Sequence, residues 1–165
     1  MAVSDNNLFN IDTGILQKDA LIIIVRTRWN SQVVDKLEAG CTGMLDRYQM
    51  KNYQVVLVPG AFEIPFAIKS FWDTSKLQKP KVFIALGCVL RGDTPHFDYV
   101  CKGVTDGIMQ LNLALPSPTI FAVLTVDNQQ QADDRTGGRY GNKGEEAAVT
   151  AMQMLTLQQD FYSRK

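Results

Sequence analysis

The sequence predicts an α/β fold in which a central four-stranded parallel sheet is flanked by helices. Short apolar runs rich in β-branched residues alternate with segments whose apolar residues recur every three or four positions. This alternation is typical of strands joined by helical crossovers. The first run, residues 21–25, is apolar throughout, as expected for a strand covered on both faces. The length of 165 residues suits one domain spanning the whole chain.

The first half of the chain predicts two strands and two helices in alternation. Residues 21–27 form the first strand, and a helix follows over 33–48, where apolar residues fall on one face of a 3.6-residue period. We expect Asn30 or Ser31 to cap this helix through its side chain. Residues 53–59 give the second strand. The second helix, around residues 64–71, requires Pro65 to lie in its first turn.

The second half repeats the alternation and ends in a long helix. Residues 81–90 predict the third strand, and 119–126 predict the fourth, with a helix around 100–111 between them. A short helix near 129–135 and a glycine-rich turn then lead to a final helix. That helix begins near Gly144 and carries glutamates in its first turn, which suits the helix dipole.

Charge, hydropathy and cysteine content exclude several classes of protein. Lys+Arg and Asp+Glu both number 17, so the basic excess that nucleic-acid binding normally needs is missing. Neither of the longest apolar runs, 21–25 and 82–90, approaches the roughly 20 residues of a membrane span. The first twenty residues hold three aspartates and no apolar core of a signal peptide. Three unpaired cysteines and one histidine predict reduced thiols, no zinc site and a cytoplasmic location.

Polar and aromatic residues follow the predicted strands, where parallel sheets bind ligands. Trp29 is either a core aromatic or a stacking platform for a planar heterocycle, and Glu63 either balances a helix dipole or accepts hydrogen bonds from sugar hydroxyls. His96 either caps the next helix or acts as an acid–base group, since histidine ordinarily titrates near neutrality. Arg135 forms either a surface ion pair or a phosphate fork. Residues 137–144 form either an anion-binding loop or a turn between elements.

Five motifs, in this order and spacing, resemble those of the 6,7-dimethyl-8-ribityllumazine synthase family. They cover most of the chain from about residue 21 to 154: Trp29-Asn30, Val58-Pro59-Gly60-Ala61-Phe62-Glu63-Ile64-Pro65, the run from Ala85 to Val100 that contains Arg91-Gly92-Asp93-Thr94-Pro95-His96, Gln131-Ala132-Asp133-Asp134-Arg135, and Gly141-Asn142-Lys143-Gly144-Glu145-Glu146-Ala147-Ala148. The resemblance implies a flavodoxin-like three-layer sandwich and a transferase of riboflavin biosynthesis that uses no metal or organic cofactor. Its reaction condenses 5-amino-6-(ribitylamino)uracil with 3,4-dihydroxy-2-butanone 4-phosphate to give 6,7-dimethyl-8-ribityllumazine, phosphate and water.

The resemblance also assigns roles to single residues. His96 is the implied acid–base residue. The implied phosphate-binding residues are Asp93 and Thr94, through their backbone N–H groups, and Arg135. The implied pyrimidine- and ribityl-binding residues are Trp29, Asn30, Ala61, Phe62, Glu63, Val89, Leu90, Phe121 and Lys143, with Phe121 donated by an adjacent subunit. Asp93 stands where a small residue is common, so its carboxylate must turn away from a bound phosphate.

Assembly follows from the same resemblance. Family members form pentamers, pairs of pentamers or icosahedral shells of sixty subunits, with active sites at subunit interfaces and an association with riboflavin synthase in some cases. The stretch between Arg135 and Asn142 has no insertion, which favours the shell. Residues 1–12 are expected to be an arm in which 8–11 add an edge strand to a neighbouring sheet. Two alternatives to the enzyme remain at this point: a flavin- or lumazine-binding module, and a non-catalytic shell protein on the same scaffold.

Overall fold

A parallel four-stranded sheet forms the centre of a computed structural model that describes residues 16–163. Its strands lie in the order β2 (Tyr53–Val58), β1 (Ile22–Thr27), β3 (Val82–Leu90) and β4 (Thr119–Val126). An antiparallel hairpin of β5 (Thr136–Gly138) and β6 (Gly141–Asn142) forms a separate two-stranded sheet. The elements are β1 (Ile22–Thr27), α1 (Ser31–Arg47), β2 (Tyr53–Val58), α2 (Ile64–Thr74), β3 (Val82–Leu90), α3 (His96–Ala114), β4 (Thr119–Val126), α4 (Gln129–Asp133), β5 (Thr136–Gly138), β6 (Gly141–Asn142) and α5 (Lys143–Ser163). The strand order and helical crossovers are those of a flavodoxin-like fold, as predicted.

Alternate side chains of β1 point into two separate cores. Ile22 and Ile24 pack in a cluster with buried residues of α1 and α5. Ile23 and Val25 pack in a second cluster with buried residues of α2 and α3. All four side chains are fully buried, so β1 is covered on both faces. This arrangement confirms the three-layer sandwich and explains why the first strand carries no polar alternation.

The helices begin and end near their predicted limits. Pro65 lies in the first turn of α2, where its missing N–H costs no hydrogen bond. α3 begins at His96, earlier than its apolar periodicity indicates, because its first turn is solvated. In the described range, residues 16–163, no helix has both the length and the apolar character that crossing a bilayer demands.

The start of α1 differs from the expected side-chain cap. Asn30 occupies the capping position with φ +56°, and its carbonyl accepts hydrogen bonds from the N–H groups of Val33 and Val34. Its side chain makes no cap hydrogen bond. The left-handed conformation, which asparagine tolerates better than most residues, turns the amide toward the sheet instead.

Residues 137–144 comprise most of the β5-β6 hairpin and the first two residues of α5. Gly137 and Gly141 have φ of +120° and +70°, which other residues rarely adopt, and they allow the tight β5-β6 hairpin. α5 begins directly after it. The predicted arm, residues 1–12, lies outside the described residues.

Candidate active site

The carboxyl ends of β1 and β3 form the crevice where a ligand is expected. The chain leaves β1 toward β2 on one side and returns to β3 on the other, which makes this point the topological switch of the sheet. Asn30 donates a hydrogen bond from Nδ2 to the carbonyl oxygen of Cys88 at 2.8 Å. The bond ties the end of β1 to the carboxyl end of β3, just before Val89 and Leu90. Asn30 is otherwise exposed.

A second set of bonds ties the end of β1 to the end of β2. The N–H groups of Arg28 and Trp29 donate to the carbonyls of Val58 and Pro59 at 2.8 and 3.1 Å. The Trp29 indole is 66% exposed although it directly follows a buried strand. It is therefore not a core aromatic, and its open face is available for stacking.

The segment after β2 forms a short 3₁₀ turn, Ala61–Glu63, before α2. Ala61 is buried, whereas Phe62 is 60% exposed. Glu63 accepts a hydrogen bond from the Gly60 N–H to Oε2 at 3.0 Å, which fixes one carboxylate oxygen and leaves the other as an acceptor. Glu63 therefore presents a carboxylate acceptor after the end of β2, and this strand end is paired with the end of β1 that leads to Trp29.

The loop after β3 is held by Arg91. Its Nε and Nη2 donate to Asp127 at 2.8 Å and to Asp98 at 3.2 Å, and its guanidinium lies 4.0 Å from the centre of the Phe97 ring. The bond from Arg91 holds the pKa of Asp127 below its usual value. Arg91 precedes the loop 92–95 and Asp98 follows it. The contacts of Arg91 therefore tie both ends of this loop to Asp127, the first residue after β4. His96, the first residue of α3, is exposed.

A groove of about 600 Å³ runs along edge strand β4 and α5. It is lined by three of the predicted site residues, Phe121, Arg135 and Lys143, together with Glu146. Lys143 Nζ lies 2.6 Å from Glu146 Oε1, and the two side chains are only 11% and 8% exposed. Sequence reasoning gave Glu146 a role in the helix dipole alone. Lys143 and Glu146 are three residues apart, a spacing that places both side chains on one face of a helix and so indicates this pair.

Arg135 is oriented by its neighbours rather than left free. Its Nη1 donates to the carbonyl of Gln131 at 2.9 Å, and its guanidinium carbon lies 5.0 Å from the centre of the Tyr140 ring. The Arg135 carbonyl in turn accepts the Lys143 N–H at 2.9 Å. The two cationic side chains therefore reach the groove from residues whose backbones are hydrogen-bonded to each other.

The predicted site residues thus fall into two clusters. The sheet-end cluster lies at the carboxyl ends of β1, β2 and β3 and contains Trp29, Asn30, Ala61, Phe62, Glu63, Val89, Leu90, Asp93, Thr94 and His96. The groove cluster contains Phe121, Arg135 and Lys143. Phe121 lies five residues before the end of β4, which corresponds to roughly 16 Å along a strand. No residue of the sheet-end cluster lines the groove among the described residues.

The two buried thiols, those of Cys41 and Cys88, are poor nucleophiles. Burial raises the pKa of Cys88 to about 11, and burial together with the charge of Glu38 raises the pKa of Cys41 to about 12. At the topological switch point, Cys88 contributes its backbone carbonyl, which accepts the hydrogen bond from Asn30. Between residues 16 and 163, no three His, Cys, Asp or Glu side chains converge as a metal site would require.

Comparison with known proteins assigns the family. The profile of the 6,7-dimethyl-8-ribityllumazine synthase family matches residues 19–159. A 6,7-dimethyl-8-ribityllumazine synthase of Parabacteroides distasonis is 46% identical over 95% of this chain and 99% of its own length. Those of Phocaeicola vulgatus and Porphyromonas gingivalis are 44% and 41% identical, each over 96% of this chain. The sequence, the fold and these matches agree that the chain belongs to the 6,7-dimethyl-8-ribityllumazine synthase family.

Proposed function

We propose that the chain is a transferase of riboflavin biosynthesis that condenses 5-amino-6-(ribitylamino)uracil with 3,4-dihydroxy-2-butanone 4-phosphate. The products are 6,7-dimethyl-8-ribityllumazine, phosphate and water. The observation that carries the proposal is the near full-length match to synthases of this name, at 46% identity in one case. The free thiols of Cys41, Cys88 and Cys101 also support a reducing, cytoplasmic location.

The sheet-end cluster suits the ribitylaminopyrimidine. Trp29 offers an open aromatic face for the ring, and Asn30 Oδ1 accepts from a ring N–H. Ala61, Phe62 and the second oxygen of Glu63 border the ribityl chain, while the backbone at Val89 and Leu90 borders the pyrimidine edge. The Asn30 and Glu63 side chains are held by hydrogen bonds to the backbone before a ligand arrives, which lowers the entropic cost of binding.

His96 suits the proton transfers. The amino group attacks a ketone and expels water, the phosphate leaves, and the ring closes with further loss of water. Every one of these steps moves a proton between nitrogen, carbon or oxygen and a base. His96 is exposed at the sheet end and is the only histidine of the chain. Holding two substrates in register supplies much of the remaining acceleration.

The phosphate requires groups from both clusters. We propose that the backbone N–H groups of Asp93 and Thr94 contact it, with Arg135 as a guanidinium fork. Because Arg135 lies in the groove with Phe121 and Lys143, we propose that the groove of one subunit closes over the sheet end of another. The active oligomer is then a pentamer or a 60-subunit shell, which can associate with riboflavin synthase.

A turnover assay tests the function. Purified protein with both substrates is expected to give the lumazine absorbance, and His96→Ala is expected to lower kcat by roughly 10²-fold or more, since general acid–base catalysis contributes 10²–10⁴. Circular dichroism confirms folding, because an exposed first-turn side chain contributes little to stability. No lumazine from the unmodified chain refutes the proposal. Unchanged turnover in the variant refutes the role of His96.

Subunit mixing tests the shared site. His96→Ala and Arg135→Met chains are each expected to be nearly inactive. Coassembled at equal amounts, they form sites in which both residues are intact about a quarter of the time, because each site draws the two residues from different chains. About a quarter of the unmodified activity is therefore expected. No recovery beyond the sum of the two variants means that one chain supplies both residues.

A further inference from the structure

The Trp29 indole rests directly on the backbone of Gly60. A Cβ built at Gly60 would lie 2.6 Å from Cε3 and 2.7 Å from Cζ3 of the indole. Real Cβ atoms do not approach carbon atoms so closely, since the van der Waals minimum lies near 3.5–4.0 Å. The six-membered part of the indole therefore occupies the space that any side chain at Gly60 would fill.

The backbone does not require glycine at this position. Gly60 has φ −138° and ψ 179°, an extended conformation that every residue adopts readily. The glycine is needed for the space above it and not for its torsion angles. An alanine at this position keeps the main chain and adds only a methyl group under the indole.

The same residue also holds the Glu63 carboxylate. The Gly60 N–H donates to Oε2 at 3.0 Å, and a Cβ would lie 3.1 Å from that oxygen. Gly60 therefore contacts both the proposed stacking surface and the proposed acceptor of the ribityl hydroxyls. It fixes the relative position of two groups that come from different strand ends.

We propose that Gly60 is a positioning residue that sets where the ribitylaminopyrimidine binds, by seating the Trp29 indole and holding the Glu63 carboxylate. This inference rests on the proposed function. The indole is 66% exposed, so an added methyl displaces it outward at little cost to the fold. The loss appears in substrate geometry, where a misplacement of about 1 Å costs up to 10²-fold in rate.

Gly60→Ala is the test, with Gly43→Ala as its matched control. A Cβ at Gly43, inside α1, meets no atom within 4 Å. Gly60→Ala is expected to lower kcat/KM for the pyrimidine by about 10- to 100-fold while the KM for the phosphate-bearing substrate changes less than twofold. Gly43→Ala is expected to leave both unchanged. Equal kinetics for the two variants overturn the proposal.

Trp29→Phe separates steric displacement of the indole from other effects of the methyl. Phenylalanine lacks the outer ring atoms that meet the added Cβ, so Gly60→Ala in this background is expected to cost less than threefold. An equally large loss in both backgrounds shows that Gly60 does not act by seating the indole and overturns that part of the proposal.

A binding measurement separates this proposal from the proposed function. The chain has two tryptophans, so Trp72→Phe leaves Trp29 as the single indole. Titration with 5-amino-6-(ribitylamino)uracil is expected to quench its fluorescence, and Gly60→Ala is expected to raise the Kd about tenfold. Quenching with the expected shift supports the role of Gly60 even if no lumazine is made. An unshifted Kd overturns it even in an active enzyme.

Discussion

Replacing Asn142 by alanine is expected to destabilise the junction between α1 and α5. Asn142 Oδ1 accepts the N–H of Gly144 at 2.8 Å and so caps α5, while Nδ2 donates to the Lys36 carbonyl of α1 at 3.0 Å. The side chain also fills the space over Gly40, where a Cβ would lie 2.5 Å from Nδ2. The Asn142 side-chain amide therefore hydrogen-bonds to both α1 and α5, which are distant in sequence.

The magnitude follows from those two bonds. Loss of an N-cap side chain costs about 1 kcal/mol, and loss of a partly exposed hydrogen bond costs about 1 kcal/mol more. The free energy of unfolding is therefore expected to fall by about 2 kcal/mol. In a domain of this size that corresponds to a fall in Tm of roughly 4–8 °C.

Urea unfolding followed by circular dichroism measures the effect at one fixed protein concentration, because assembly makes stability depend on concentration. Asn142→Asp is the control. It keeps the cap acceptor and loses the donor to Lys36, so it is expected to cost about half as much. A loss below about 0.5 kcal/mol for Asn142→Ala would refute the two-bond reasoning.

Two further predictions concern buried groups. Glu146→Leu leaves the nearly buried Lys143 ammonium without its counter-charge, so the free energy of unfolding is expected to fall by about 3 kcal/mol. The double variant Lys143→Met/Glu146→Leu removes both charges and is expected to lose less. Urea unfolding of both variants checks this, and equal losses contradict it. Iodoacetamide at pH 8 is expected to label native protein at Cys101 before the other thiols, because Cys41 and Cys88 are buried and burial raises their pKa to about 12 and about 11, whereas Cys101 is only partly buried. Mass spectrometry of the peptides shows the labelled sites, with urea-denatured protein as the fully labelled control.

The sheet and its helices were predictable because burial controls their sequence pattern. The first four residues of β1 are buried and apolar, and α1 repeats its apolar residues with helical period. The predicted fourth strand, 119–126, has the limits of β4. The first turn of α3 was not predictable from periodicity, because His96, Asp98 and Tyr99 are exposed and Phe97 is only partly buried, so this turn has no buried apolar face.

Details of the candidate site depended on contacts between distant residues. Asn30 has the residue type of a helix cap, yet its amide binds Cys88, 58 positions away, and no local pattern shows that bond. The contact between Gly60 and the Trp29 indole also joins residues that are distant in sequence. A glycine in the sequence does not show which side chain occupies the space that its Cβ would fill. The separation of Phe121 from the sheet end required knowing where along β4 each residue falls.

The packing of α1 against α5 has a consequence for biosynthesis. Leu37 and Cys41 are buried in the same cluster as Ala148 and Met152, and a Cβ at Gly144 would lie 1.9 Å from the Leu37 carbonyl oxygen. Residues 48–142 separate the two helices in sequence, so the apolar face of α1 stays uncovered on the ribosome until α5 has emerged. Loss of the C-terminal helix by a premature stop would therefore leave an aggregation-prone fragment rather than a smaller folded protein.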